Sequence, residues 1–166
     1  MSLATAPTGV SRPRLRFELN GEAVEVEVEV REMLLDVLRG PLGLRGAKRS
    51  CDLQVCGACT VLVDGLVVSA CTYLAYEVDG RTVTTIEGLA SGEALHPLQR
   101  EFVRRGGLQC GFCTSGMILT LKAFLEEHPG PTEQEIREAL AGNLCRCTGY
   151  VKVVDAALAA VGADVP

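Results

Sequence analysis

The stretch Cys51-Asp-Leu-Gln-Val-Cys56-Gly-Ala-Cys59, followed after eleven residues by Cys71, decides the fold of the first half of this chain. Three of its thiols come from one short loop and the fourth from a later segment. Structural zinc sites usually take their ligands from two close pairs, whereas this spacing is typical of a plant-type two-iron, two-sulfur (2Fe-2S) cluster. We therefore predict that this first cysteine set holds a 2Fe-2S cluster through Cys51, Cys56, Cys59 and Cys71.

The residues around the first cysteine set fit an anionic group. A cluster held by four thiolates is anionic in both redox states, so its loop must bring backbone N–H groups toward the sulfurs. The small residues Gly57 and Ala58 permit that approach. Upstream, Arg45, Lys48 and Arg49 either offset the cluster charge or form a solvated basic loop. The sequence leaves both interpretations open, and these three are not counted as site residues.

A second cysteine set lies in the other half of the chain. It consists of Cys110-Gly-Phe-Cys113 and, after thirty-one residues, Cys145-Arg-Cys147. Two such pairs alone would also suit zinc. In an extended segment Cys145 and Cys147 point to one side. Cys110 and Cys113 stand where a helix is predicted to begin, and a helix N-terminus favours thiolates and a neighbouring anionic cluster. We predict these four cysteines as ligands of a second 2Fe-2S cluster.

Strand patterns dominate the chain around the first cysteine set. Apolar residues alternate with polar ones on both sides of Asn20-Gly21, which predicts a β-hairpin over residues 15–30. Residues 32–39 have helical spacing. A second hairpin is predicted across Asp64-Gly65, and a further strand over residues 83–86.

Helical periodicity replaces this pattern further along the chain. Four helices are predicted, over residues 96–105, 115–127, 132–141 and 150–161. The fold class is thus α+β. We predict an N-terminal tail (residues 1–13), a strand-rich domain (14–88) and an all-α domain (89–166), and we call the last two the strand half and the helical half. Each half has about 80 residues, a size at which one apolar core supplies only a few kcal/mol of stability. A metal site in each half would add to that stability.

The composition of the 166 residues narrows the functional classes. A net charge of -5 lacks the basic surface that phosphate binding requires, so nucleic acid is not an expected partner. No apolar run is long enough for a membrane span, and the N-terminus lacks an apolar secretory core, so a cytoplasmic location is expected. Thiols stay reduced there, which favours metal over disulfides for the eight cysteines. No catalytic residue is expected, because neither a nucleophile with a base nor paired carboxylates is recognisable.

Both cysteine sets with their flanking residues resemble the iron-sulfur subunit of the molybdenum hydroxylases. That family includes the xanthine dehydrogenase, aldehyde oxidoreductase and carbon monoxide dehydrogenase types. The resemblance rests on Cys51-x4-Cys56-Gly-Ala-Cys59-Thr-Val, Gln109-Cys110-Gly-Phe-Cys113-Thr and Cys145-Arg-Cys147-Thr-Gly-Tyr150, and it covers residues 14–161. It implies a β-grasp domain of the plant-type ferredoxin kind followed by a four-helix domain, each with one 2Fe-2S cluster.

The resemblance also implies partners. A large subunit carries molybdopterin with molybdenum, a medium subunit carries FAD, and a dimer of such heterotrimers is expected. In such assemblies the residues matching Gln109 and Cys147 approach the pterin, and the first cluster lies toward the flavin. The implied function is electron transfer from the molybdenum centre to FAD, with the substrate chemistry on a partner.

Two alternative functions stay open for the sequence alone. One is a zinc-stapled interaction module, in which one or both cysteine sets hold zinc structurally, and the other is a free-standing ferredoxin that shuttles between proteins. One position departs from the family pattern, because Gln54 stands where many members have Gly. Since positive φ is costly for Gln, we expect either that the loop differs here or that the position does not require left-handed geometry.

Overall fold

The computed structural model of the chain describes residues 12–161, so nearly all of the predicted N-terminal tail lies outside the described residues. Five strands and five α-helices follow one another within this range. The strands are β1 (Arg14–Leu19), β2 (Glu22–Glu27), β3 (Thr60–Val63), β4 (Leu66–Ser69) and β5 (Thr82–Thr84). The helices are α1 (Leu34–Arg39), α2 (Pro97–Arg105), α3 (Thr114–Glu127), α4 (Glu133–Ala139) and α5 (Val151–Ala160). The α+β prediction is confirmed.

The five strands form one mixed sheet in the order β2-β1-β5-β3-β4. Strands β1 and β5 pair in parallel, and the other neighbours are antiparallel. Both predicted hairpins are present, and their turns take positive φ at Asn20-Gly21 (54° and 85°) and at Asp64-Gly65 (50° and 80°). These turns match the right-handed twist of the strands that they join, which fixes the register of each pair.

The largest boundary differences in the strand half concern β2, α1 and β5. Strand β2 ends at Glu27 instead of continuing to Val30. The Val28 N–H still donates to the Pro13 carbonyl, but Pro13 has no N–H with which to extend the ladder, and Val30 is half exposed. Helix α1 begins at Leu34 and not at residue 32, because the Glu32 carboxylate caps the turn by accepting from the Glu29 N–H at 2.9 Å. Strand β5 ends at Thr84, where a 3₁₀ turn over Ile86–Gly88 begins the connection to the helical half.

The strand half buries its apolar residues between the sheet and α1. Four side chains of α1 are fully buried, Leu34, Leu35, Val37 and Leu38. They pack against the inward-facing residues of β1, including Phe17. Fully burying a side chain of this size contributes roughly 1.5–3 kcal/mol. Cys59 and Cys71 belong to the same buried cluster, so two thiols of the first cysteine set adjoin the core.

The helical half has well-defined helix ends. His96 caps α2, and Gly106 ends that helix in the left-handed conformation. Thr132 and Glu135 form the predicted capping box at the start of α4, with the Thr132 Oγ1 accepting from the Glu135 N–H at 3.3 Å. Each cap satisfies backbone groups that have no partner inside the helix. Among the described residues, no helix combines the length and apolar character needed to cross a membrane.

The core of the helical half also includes one residue of the sheet. Phe102, Met117, Leu121 and other side chains of α2 to α5 form this core, and Leu62 of β3 is buried among them. Because side chains alternate along a strand, Leu62 faces the helices while Val61 and Val63 belong to the core of the strand half. Strand β3 therefore contributes to both cores.

Candidate metal centres

The first cysteine set gathers at one end of the β3-β4 hairpin. Cys59 immediately precedes β3, and Cys71 follows β4 by two residues. Because Thr60 pairs with Ser69 in the antiparallel ladder, the two cysteines come together at the same sheet end. Burial raises the pKa of the Cys59 thiol to about 12, and that thiol also contacts Cys71. A buried thiol with a raised pKa binds metal by losing its proton, which a strongly attracting cation makes favourable.

Cys51 and Cys56 stand in the loop that leads into β3. Backbone N–H groups of Leu53 and Val55 point at the Cys51 sulfur, at 3.4 and 3.5 Å. These N–H groups, together with contacts from Cys56, lower the pKa of the Cys51 thiol to about 6. Such convergence of backbone N–H groups on sulfur is the arrangement expected around an anionic cluster.

The loop achieves this convergence through three residues with positive φ. They are Asp52 (54°), Gln54 (58°) and Gly57 (67°). Gln54 therefore does adopt left-handed geometry, so the expectation that its position would not require that geometry is wrong. The side chain of Gln54 accepts a hydrogen bond from the Thr72 hydroxyl at 3.3 Å, next to Cys71. That bond offsets part of the strain of left-handed geometry in a residue other than glycine.

The second cysteine set is assembled from separate segments of the helical half. Cys113 is the N-cap of α3, and Cys145 and Cys147 lie on the connection before α5. The sulfurs of Cys110 and Cys147 are 3.6 Å apart, and Cys113 contacts Cys145. Burial, assisted by Cys145, raises the pKa of the Cys113 thiol to about 12. The structure thus brings together all four cysteines that the sequence predicted.

Cys145 is the thiol of the second set with the most hydrogen-bond donors. It accepts from the N–H groups of Cys147 (3.4 Å) and Thr148 (3.3 Å) and from the Thr148 hydroxyl (3.2 Å). Burial alone would raise its pKa, but the donors of Thr148 and Cys147 outweigh burial and lower the pKa to about 7. Both sets therefore combine a thiol surrounded by donors, Cys51 or Cys145, with a buried thiol of raised pKa, Cys59 or Cys113.

The thiols form two pairs in each set, which suits two metal atoms better than one. Within residues 12–161, no three His, Cys, Asp or Glu side chains converge closely enough to hold a single ion. A 2Fe-2S cluster instead takes two thiolates on each of its two irons. The donor chemistry fits as well, since sulfur ligands with N–H groups around them suit an anionic cluster. The arrangement does not favour the structural zinc alternative.

The two cysteine sets lie against each other through backbone contacts. The Leu144 N–H donates to the Cys56 carbonyl at 2.9 Å, and the Asn143 side chain donates to the Gly57 carbonyl at 3.3 Å. A Cβ added to Gly116 of α3 would lie 2.1 Å from the same Gly57 carbonyl. Only glycine at position 116 permits α3 to approach this closely.

The sequence reasoning gave neither Asn143 nor Tyr150 a role at the second cysteine set, although Tyr150 belongs to one of the quoted motifs. The Tyr150 hydroxyl accepts from the Cys145 N–H at 2.8 Å and donates to the Asn143 carbonyl at 2.9 Å. Asn143 is only 2% exposed. These two residues hold the ligand segment in place. Their nearness to Cys145 in the sequence was the available signal, but contacts made by a buried amide cannot be read from spacing.

Gln109 lies at the surface beside the second cysteine set. Gln109 is exposed, and so is its neighbour Cys110. Cys147, whose sulfur contacts that of Cys110, is exposed as well. Phe112 and Leu144 also expose more than a third of their surface. The helical half thus presents its outer thiol pair at an exposed and partly apolar surface.

Comparisons with known proteins follow the same division of the chain. A 2Fe-2S iron-sulfur cluster binding domain family matches residues 17–90, and a [2Fe-2S] binding domain family matches residues 85–158. The nicotine 6-hydroxylase small subunit of Paenarthrobacter nicotinovorans is 48% identical over 158 residues, which cover 95% of each chain. A probable xanthine dehydrogenase subunit of Bacillus subtilis is 48% identical over 144 residues, covering 87% of this chain and 83% of that protein.

A solved structure resembles the whole arrangement. The crystal structure of quinoline 2-oxidoreductase from Pseudomonas putida 86 contains a chain that is 45% identical, with a TM-score of 0.88 over 90% of this chain and 93% of that chain. Identity at this level over nearly complete chains is far above what shared fold alone produces. With two cysteine sets, two matching 2Fe-2S domain families and these relatives, the chain belongs to the iron-sulfur subunits of the molybdenum hydroxylases.

Proposed function

We propose that this chain is the electron-transfer subunit that connects a molybdopterin-containing large subunit with FAD on a medium subunit. When bound, each 2Fe-2S cluster supplies a one-electron redox centre. The first cysteine set would hold one cluster and the second set the other. The observation that carries the proposal is the direct contact between the two sets, from the Leu144 N–H to the Cys56 carbonyl at 2.9 Å.

The exposed residues support an orientation for this relay. Cys147 and Gln109 are exposed on the helical half, where they could contact the pterin of the large subunit. Beside Cys51 of the first cysteine set, Leu53 and Val55 are 73% and 56% exposed. Exposed apolar side chains beside a redox site are typical of a surface that a partner covers. We infer that the first set faces the FAD subunit.

The substrate chemistry would then belong to a partner chain. The relatives are named for nicotine, xanthine and quinoline, three different ring systems, yet each is 45% to 48% identical to this chain. A subunit that chose the substrate would be expected to differ more among them. The substrate of this protein is therefore to be sought in the pocket of its large subunit.

Finer features of the assembly form part of the same proposal. We infer a β-grasp domain over residues 14–88 and a four-helix domain over residues 89–166, a division supported by family matches that meet between residues 85 and 90. A dimer of heterotrimers and a cytoplasmic location complete the proposal.

Analysis of the native complex tests the proposed function. Protein purified with its partners should contain about four iron and four sulfide per chain and give two distinct paramagnetic signals after reduction. A colourless zinc protein, or iron for only one cluster, would contradict the relay. A chain that purifies alone and stays active as an electron carrier would favour the free-standing ferredoxin.

Matched ligand substitutions test the orientation. Cys113→Ser should weaken the helical half and uncouple the molybdenum subunit, because Cys113 is buried at the N-terminus of α3. Cys56→Ser should mainly interrupt electron transfer to flavin. Subunit composition and flavin reduction by substrate should be measured for both variants. Equal loss of assembly in both would contradict this division.

A further inference from the structure

Lys48 is the basic residue that the structure places between the two cysteine sets. Its ammonium donates to the Gly46 carbonyl at 2.9 Å and to the Ser115 hydroxyl at 3.1 Å, two residues beyond Cys113. The ammonium also lies 5.9 Å from the centre of the Phe112 ring, within the range of a cation–π contact. The Lys48 side chain therefore crosses from the strand half to the start of α3.

Arg45 and Arg49, the other two basic residues of this loop, have different surroundings. Both are exposed. The Arg49 guanidinium pairs with the carboxylates of Asp36 and Asp52, so its charge is already balanced. Exposed charges are also screened by salt. Of the three basic residues before Cys51, the structure thus distinguishes Lys48 as the half-buried one.

The charge of Lys48 has no close carboxylate among residues 12–161. Within this range, no Asp or Glu oxygen lies within 4.0 Å of the Lys48 ammonium. Burial is the main reason that the pKa of Lys48 lies below its ordinary value, while Glu87 and Cys113 act to raise it and Arg39 lowers it. The Glu87 carboxylate instead accepts from the Gly46 N–H at 2.7 Å. A partly buried cation needs negative charge nearby, and the Ser115 hydroxyl that Lys48 contacts lies two residues from Cys113 of the second cysteine set.

We propose that Lys48 is a positioning residue that supplies a fixed positive charge to the second cluster and raises its reduction potential relative to the first. This inference rests on the proposed function, since the second cysteine set must hold a 2Fe-2S cluster. An anionic cluster becomes more negative when it takes up an electron, so a cation beside it favours the reduced state. Lys48 would thus make the cluster nearer to the molybdenum centre the better electron acceptor.

A purely structural role for Lys48 makes a different prediction. Its two hydrogen bonds would then hold the loop against α3, and any donor of similar length would replace it. The reduction potentials would then change only when this contact is lost, whatever the charge of the side chain. The two roles separate when the charge is removed while the size of the side chain is kept.

The test is a redox titration of the complete complex followed by electron paramagnetic resonance. Lys48→Met removes the charge, Lys48→Gln removes it but keeps a donor, and Lys48→Arg keeps it. Arg45→Gln is the matched control for an exposed charge. In Lys48→Met and Lys48→Gln, we expect the ratio of electron occupancy, first cluster to second, to rise at least about tenfold. For a one-electron couple this is a change of about 59 mV in the potential difference between the clusters. Lys48→Arg and Arg45→Gln should leave the distribution unchanged.

The outcomes are decisive in both directions. If both paramagnetic signals are present and Lys48→Gln leaves both potentials unchanged, the proposal for Lys48 is wrong while the proposed function stands. If two signals are never found, the proposed function itself fails. Should both uncharged variants fail to assemble, the wild-type complex still provides a test, because the potential difference between the clusters should stay constant between about 0.05 and 0.5 M salt. A steep salt dependence would indicate that exposed charges set the difference, and would overturn the proposal.

Discussion

The two cysteine sets reach the same pairing of thiols by different structural means. The first set is mostly local, because Cys51, Cys56 and Cys59 share a nine-residue loop at the end of a hairpin. The second set joins the start of α3 to the segment before α5 across thirty-one residues. The first set therefore depends on backbone strain in one loop, and the second depends on the packing of helices. This difference predicts unequal responses of the two sets to loss of metal and to substitution.

Removal of iron should affect the helical half more than the strand half. The second set is a link between distant segments, so its loss releases α3 from the segment before α5, whereas the buried core around α1 persists without the first set. Metal-site free energy is folding free energy here, and we expect the melting temperature of the chain to fall by about 20 °C. Hydrogen exchange should lose protection in α5 first. Equal loss of protection in β1 and α5 would contradict the comparison.

Gly116→Ala should break the contact that joins the two sets. Alanine normally stabilises a helix interior relative to glycine, but here its Cβ would lie 2.1 Å from the Gly57 carbonyl. We expect the free energy of unfolding to fall by about 3 kcal/mol, measured by denaturant titration. Gly130→Ala is the control, because a Cβ there meets no atom within 4 Å. If Gly116→Ala is as stable as the control, α3 does not need this approach.

Tyr150→Phe should weaken the second set alone. The change removes one hydroxyl that satisfies both the Cys145 N–H and the Asn143 carbonyl. Leaving these groups without a partner should cost about 1–2 kcal/mol and accelerate loss of the second cluster. Tyr76→Phe is the matched control, since Tyr76 is exposed. Simultaneous loss of the first cluster at the same rate would show that the sets are not separately supported.

Gln54→Gly should have the smallest effect, and it should be favourable. Glycine takes positive φ without steric cost, although it loses the Thr72 hydrogen bond and gains freedom in the unfolded chain. We expect the first loop to gain up to about 1 kcal/mol, visible as slower loss of the first cluster's visible absorption on chelation. Asp52→Gly should give a smaller gain in stability, because Asp tolerates left-handed geometry better than Gln does. A faster loss in Gln54→Gly would mean that the Thr72 contact outweighs the strain.

The sequence was sufficient to predict the local features of the fold. The dipeptides Asn20-Gly21 and Asp64-Gly65 predicted both hairpins, and Thr132 with Glu135 predicted a helix start, because each depends on residues near one another in the chain. The first set of four cysteines was predicted from its spacing, and the second from its two cysteine pairs together with the family resemblance. The structure brings each set together. The role of these cysteines as ligands stays a prediction.

Features that depend on distant residues were not predictable from spacing. The left-handed geometry of Gln54 is imposed by the loop around the first set. The distinction between Lys48 and Arg49 requires knowing that α3 packs above the loop, since both look alike in sequence. The contact of Asn143 with Gly57 likewise joins residues 86 positions apart.

Leu62 and the Gly57–Gly116 contact limit how this protein could be recombined. A break at residue 88 would fall outside every strand and α-helix, yet it would expose Leu62 of β3 and leave α3 without its facing loop. Hybrids that exchange one half with a relative would therefore have to carry matched residues at these positions. For recombination, the two cluster-binding halves therefore behave as one unit.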